Sequence, residues 1–189
     1  MIKNTNNITK FLIVIALVAT AIAWRIFNHD FQLVPNLEIV TAVSVIAALL
    51  IGWRAALAVP ISTMIISDLF IGNSSIFIFT WGAFAVIGLG ALLLRKLNDK
   101  PKSQVAFSLG FAVISSFFFF TITNFGVWLQ GWYGPTFAGL VECFTLAIPF
   151  YRTMLIGNII IVPIAVAAYQ LIRIKSAQKD LVINSTISQ

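Results

Sequence analysis

Ser115–Asn158 reads SSFFFFTITNFGVWLQGWYGPTFAGLVECFTLAIPFYRTMLIGN, and the fold turns on how it is interpreted. It opens as an aromatic membrane span that Asn124 and Gly126 are expected to break. Trp128, Trp132 and Tyr133 then fall in a Gly/Pro loop, and the chain returns through Phe137–Ile148 towards Pro149, Tyr151 and Arg152. Trp and Tyr favour the membrane–water boundary because an apolar ring carries an N–H or O–H that needs a wet partner. Irregular backbone at membrane depth persists only where protein covers it or it lines a cavity. The stretch therefore predicts the lid and wall of a small-molecule site.

The rest of the chain sets that stretch in a membrane. Its 189 residues are 60% hydrophobic and only 10% charged, with a mean hydropathy of +1.00. A soluble domain of this length would carry about a quarter charged residues. The expected class is an all-α, polytopic membrane protein. At roughly 20 residues per span, the length suits six transmembrane helices in one domain. The single cysteine, Cys143, excludes an internal disulfide and a multi-thiolate metal site, and as a free thiol in an apolar segment it reads as a small hydrophobe.

Working outward, the expected spans are Phe11–Phe27, Glu38–Ile51, Ala55–Phe70, Ile76–Leu94, Ser103–Phe125 and Met154–Ile174. Gly52-Trp53-Arg54 divides the second from the third, and both are short for a bilayer. Thr136–Ile148 is expected as a separate short helix between spans five and six, lying in or dipping into the membrane. Residues 1–10 form an N-terminal segment, 11–174 the membrane domain, and 175–189 a polar, frayed tail. Ala19–Ala23 (ATAIA) also imitates a signal-peptidase site after a short hydrophobic core. Cleavage there would remove a span and spoil the charge division that follows.

Six spans put both termini on one side, with Lys3, Lys10, Arg54, Arg95, Lys96, Lys100, Lys102, Arg173, Lys175 and Lys179. Of the twelve basic residues only Arg25 and Arg152 fall on the other. The positive-inside rule then places both termini in the cytoplasm, with the chain in the inner membrane. Topology accounts for the +6 net charge without nucleic acid. No Walker sequence, GxSxG, HExxH or CxxC is present, so neither ATP hydrolysis through a P-loop nor a recognisable catalytic centre is expected. The chain reads as a non-enzyme without cofactor or metal.

The groups able to recognise a ligand gather on the outward half: Arg25, His29, Asp30, Glu38, Asp68, Asn73, Asn124, Glu142, Arg152 and Asn158. Ionisable groups near hydrocarbon are costly, so they pair with one another or serve a substrate. Arg25 with Asp30 or Glu38, and Arg152 with Asp68 or Glu142, are the structural pairings available. His29, alone at a helix end, reads as interfacial and not as a metal ligand. Asn124 either caps the end of its span or presents its amide to a ligand. Phe117–Phe120 must surround their helix, mostly in packing and lipid contact. In the first span, Ala19 and Ala23 stand four apart, a spacing that lets another helix approach closely and that also arises often by chance.

Several blocks resemble the energy-coupling-factor (ECF) transporter S-component-like membrane proteins. They are Arg25 with Pro35-Asn36-Leu37-Glu38 and Ala42, Ser67-Asp68-Leu69-Phe70-Ile71-Gly72, and Thr123-Asn124-Phe125-Gly126-Val127-Trp128-Leu129. Tyr133, Ala138-Gly139-Leu140, Pro149-Phe150 and Leu155-Ile156-Gly157-Asn158 extend the likeness, which runs from about Arg25 to Asn158. It implies a six-helix S-component fold that binds a vitamin or related micronutrient from outside. It also implies that Ala19 and Ala23 dock on a transmembrane coupling subunit whose ATPases are separate chains. One branch of the family, the solitary cobalamin S-components, includes members that bind cobalt through a cysteine near the loop after the third helix. This chain has NSSIFI there, at Asn73–Ile78, and the family tends to carry Asp where Asn158 stands.

The expected function is thus a substrate-binding membrane subunit for micronutrient uptake. Its ligand would lie among Trp24–Asp30, the Asp68–Asn73 turn and Asn124–Arg152. Trp24, His29 and Asn73 belong to that substrate-binding region, Trp128, Trp132 and Tyr133 stack on the ligand, and Arg25, Asp68, Asn124 and Arg152 orient it. The rival from another class is a small scaffold of the cell-shape machinery, which needs no occluded outward pocket. A membrane enzyme using Asp68, Glu142 and His29 comes third, with no spacing to support it.

Overall fold

A computed structural model describes residues 6–72 and 74–187, and every regular element in them is helical. In chain order these are α1 (Asn7–Phe31), α2 (Val40–Leu50), α3 (Trp53–Ile71), α4 (Phe77–Gly90), α5 (Leu92–Arg95), α6 (Pro101–Leu129) and α7 (Phe137–Ile187). Five stretches are long and apolar enough to cross a bilayer: Asn7–Phe31, Trp53–Ile71, Phe77–Arg95, Pro101–Leu129 and Phe137–Gln178. The radial pattern agrees. Phe11, Leu12, Phe107, Ile114, Phe117, Ile160, Ile164 and Leu171 face outward, while Thr41, Ser44, Thr63, Ser67, Gln104, Ser108, Ser116 and Asn158 are buried. An apolar exterior around a partly polar interior suits lipid as solvent. This is a polytopic membrane protein.

The short apolar helix α2 is the most enclosed. Nine of the eleven residues of α2 are buried, and it packs against α1, α3, α4, α5 and α7. Its alanines, with Ala56, Ala91 and Ala112 from its neighbours, keep the core thin enough for close helix approach. Gly88 of α4 lies so near Ala56 that a methyl there would overlap the Ala56 carbonyl oxygen. At 1.5 Å per residue α2 is about 16 Å long, roughly half a bilayer's hydrocarbon core. Residues 32–39, between α1 and α2, are irregular chain.

The C-terminal end of α2 is anchored among the basic residues. Gly52 turns the chain at φ 117°, a conformation only glycine adopts freely, and Arg95 donates to the Ile51 carbonyl at 3.3 Å. Buried Gln104 donates to Leu94 O (2.8 Å) and Asn98 Oδ1 (2.7 Å) and accepts from Gln170 Nε2 (2.6 Å). Arg173 completes this end by donating to Asn98 O and Asp99. The turn before α6 is thereby fastened to α7.

Three expectations are corrected. Asn124 and Gly126 do not break their helix, which runs on to Leu129. The Asn124 amide instead donates to Phe120 O one turn back (2.7 Å), and Gly126 is a notch where any side chain would meet the Phe79 ring. Thr136–Ile148 is not a separate helix either, because α7 begins at Phe137 and continues through Pro149 and Pro163. Packing along α6 explains this: Cys143 meets Asn124 O, Tyr151 meets Phe120, Asn158 meets Ser116 and Gln170 meets Gln104 in one antiparallel register. Nor is residue 175 the start of a frayed tail, since α7 stays helical to Ile187. Residues 1–5, with Lys3, and 188–189 lie outside the described residues, as does Asn73.

Candidate functional site

The irregular segment 32–39 is held by side chains, not by regular backbone pairing. Gln32 ends α1 in the left-handed region (φ 47°), and Asn36 adopts the same region (φ 64°). Buried Asn28 donates to Val34 O (2.9 Å) and Leu37 O (3.3 Å) and accepts from Val34 N (3.1 Å). The Trp24 indole N–H also donates to Leu37 O, at 2.9 Å. Leu37 rests against Gly157 of α7, where a methyl would overlap it. Glu38 Oε2 accepts from Thr41 N (2.9 Å) and so caps α2, while Oε1 accepts from Asn158 Nδ2 (2.7 Å). Main-chain groups that a regular helix would satisfy internally are met here by Trp24, Asn28 and Glu38.

Beside this segment opens a cavity of about 520 Å³. Gln32 and Pro35–Glu38 form one side of it, and the α3 end with Asp68, Ile71 and Gly72 forms another. The facing wall comes from α4, α6 and α7: Phe84, Phe119, Phe120, Thr123, Asn124, Phe150 and Tyr151. Phe120 and Tyr151 lie with centroids 4.8 Å apart, and Phe84 and Phe119 at 4.6 Å, so two aromatic pairs contribute to that wall. The volume falls within the range typical of small-molecule sites.

A charged tie crosses the cavity's rim. Arg25 Nη2 donates to Asp68 Oδ1 at 2.8 Å, Arg25 Nε donates to Ser67 Oγ at 2.7 Å, and the Trp81 indole N–H donates to Asp68 Oδ2 at 2.8 Å. Helices α1, α3 and α4 are thus pinned together beside the open volume, with both Asp68 oxygens occupied. The pairing is Arg25 with Asp68, and not Arg25 with Asp30 or Glu38.

Of the residues singled out from sequence, Arg25, His29, Asp68 and Asn124 line the cavity. Trp24 stands behind it, supporting the 32–39 segment. Trp128, Trp132, Tyr133 and Arg152 do not border it. The Trp128 indole donates to Thr136 O (3.1 Å), Trp132 is 58% exposed at the tip of the α6–α7 turn, and Arg152 is exposed. The ring-bearing wall therefore comes from Phe119, Phe120 and Tyr151, more than two helical turns back from the tip. Asn28 is a polar contributor that the sequence does not single out, and Glu38, one of the outward-half polar groups, joins the lining although it was not among the residues expected to contact the ligand. A helix-end Asn is unremarkable until the carbonyls it bonds are known, and the Asn158 partner of Glu38 is 120 positions away. Glu142 is exposed and Cys143 buried on α7. Ala19 and Ala23 are exposed on α1, on the side away from Val18 and Ala21, which pack into the core.

A family model matches residues 5–180, which take in the cavity and most of the basic end. The chain belongs to that family, DUF6580, a family of unknown function. No curated protein and no solved structure matches it. In this DUF6580 chain no three His, Cys, Asp or Glu side chains among the described residues stand close enough to hold a metal ion. What the cavity offers is hydrogen-bonding groups on one side and ring faces on the other.

Proposed function

We propose that the protein is a substrate-binding membrane subunit for uptake of a vitamin or related micronutrient, of the ECF S-component type. The observation that carries this reading is the cavity of about 520 Å³, built beside the irregular segment that joins α1 to α2 in an otherwise helical membrane protein. Transporters place ligands where a helix is interrupted at depth, because the interruption exposes backbone and polar side chains that lipid cannot satisfy. The short α2 makes the sixth membrane segment in this reading, with 32–39 completing its crossing. Six segments put both termini on the basic end, and the positive-inside rule makes that end cytoplasmic. The ligand then enters the cavity from the opposite face of the inner membrane. Arg25, His29, Asp68 and Asn124 contact it together with Glu38 and the aromatic wall.

The chain has no ATP-binding sequence, so energy for transport comes from a coupling subunit and its ATPases. The exposed Ala19 and Ala23 supply a flat surface on α1 for such a subunit. Native mass spectrometry of the detergent-purified protein tests the reading directly. A bound small molecule that is lost when Tyr151 is replaced by Ala is the expected result. No bound molecule, combined with no thermal shift across a broad vitamin panel, counts against it.

A further inference from the structure

We propose that the cavity selects an organic monocation bearing a flat ring, with Glu38 as its counter-charge; this rests on the binding-subunit reading above. The titratable residues lining the cavity are Arg25, His29, Glu38, Asp68 and Tyr151. Arg25 and Asp68 neutralise each other at 2.8 Å, while Arg25 also donates to Ser67 and the second Asp68 oxygen accepts from Trp81. His29 lies 3.0 Å from Asp30, so any charge it acquires is balanced locally. Glu38 is different.

Three ion pairs form among the described residues, Arg25–Asp68, His29–Asp30 and Arg173–Asp99, and Glu38 belongs to none of them. Its two bonds come from neutral donors, the Thr41 backbone N–H and the Asn158 amide. A carboxylate offers about four lone-pair directions, so each Glu38 oxygen keeps one free. The cavity is left with one negative charge. An unpaired carboxylate inside a membrane protein is costly to maintain unless something brings it a positive partner.

The aromatic wall favours the same ligand. Ring faces carry negative quadrupole density that attracts cations, and Phe84, Phe119, Phe120 and Tyr151 line the side formed by α4, α6 and α7. A metal ion is a poor match, because no cluster of three ligating side chains is present among the described residues. A ring-bearing ammonium or azinium ion satisfies the carboxylate and the rings together.

Three isosteric probes decide the matter on nanodisc-embedded protein: the 1-methylquinolinium-3-carboxamide cation, neutral quinoline-3-carboxamide and anionic quinoline-3-carboxylate. The cation should bind at least tenfold more tightly than the neutral probe, and the anion should bind most weakly. Glu38→Gln should cut that cation-to-neutral affinity ratio to about twofold. Asp68→Asn, which frees the Arg25 charge without touching Glu38, should also weaken cation binding. If Glu38→Gln lowers protein yield, Asp68→Asn reads the same electrostatics independently. A wild-type protein that binds the neutral or anionic probe best refutes the charge preference and leaves the cavity reading standing. A co-purifying ligand without positive charge does the same. Binding of none of the three at millimolar concentration refutes both.

Discussion

Asn158 of α7 donates its amide to Glu38 Oε1 at 2.7 Å, joining residues 120 positions apart. The same amide nitrogen lies 3.1 Å from Ser116 Oγ on α6, so one fully buried side chain fastens the 32–39 segment to the α6–α7 pair. Replacing Asn158 with Leu keeps the volume and removes the donor, stranding a carboxylate oxygen. The expected loss is about 2–3 kcal/mol, the scale of a deleted hydrogen bond to a charged group. Proteolytic cutting within residues 32–39 should rise in parallel. An unchanged melting temperature together with unchanged cleavage would show that the segment is held by something else.

The tie between Arg25 and Asp68 should behave as a coupled unit. The two side chains are only 18% and 9% exposed, so removing either leaves the other charge poorly solvated. Asp68→Ala or Arg25→Ala should each cost about 3 kcal/mol, while the double replacement should cost clearly less than their sum. Denaturation of the four proteins in detergent gives the coupling energy. Strict additivity would mean that the 2.8 Å contact contributes little.

How far the sequence could be read is clearest where helices were expected to stop. Gly52 between two apolar runs signalled a turn, and it makes one, because a positive φ is a local property of glycine. Gly126 looked the same in sequence, yet it sits inside α6; its purpose depends on Phe79 of another helix. Pro149 suggested a break for local reasons, and tertiary packing along α6 overrides them. The site was legible as a region but not as a set of side chains. Arg25, Asp68 and Asn124 stand at it because charged and amide groups must find partners at depth. Trp128 and Trp132 were expected there on composition, although interfacial preference explains the tip just as well. The Glu38–Asn158 bond is long-range and invisible until the helices are assembled, and Asn28 gains its role only once the 32–39 segment folds back to bring Val34 and Leu37 to it.

Two glycines give a matched test of packing. A methyl on Gly88 would overlap the Ala56 carbonyl oxygen and crowd Pro60, so α3 and α4 would have to part. Gly88→Ala should destabilise by about 1–3 kcal/mol, as overpacking in a tight core does. A methyl on Gly110 of α6 meets nothing within 4 Å. Gly110→Ala should therefore be neutral or stabilising by up to about 1 kcal/mol, through reduced backbone freedom in the unfolded chain. Equal effects at both sites would contradict the close α3–α4 approach.

Orientation is open to a test that exploits Cys143. That thiol is only 2% exposed and should contribute little background to labelling with a membrane-impermeant maleimide. Asp99 lies in the turn between α5 and α6 with its side chain 91% exposed, and Trp132 lies at the α6–α7 tip, 58% exposed. The two positions sit at opposite ends of α6, so they must label from opposite sides if that helix crosses the membrane. Ten of the twelve basic residues go with the Asp99 end in the six-segment reading. Lys and Arg resist translocation, so the uptake proposal takes that end as cytoplasmic. Trp132→Cys should therefore label in intact spheroplasts, and Asp99→Cys only after lysis. The reverse pattern would invert the protein and put the cavity mouth in the cytoplasm, where it would serve export or sensing and not uptake.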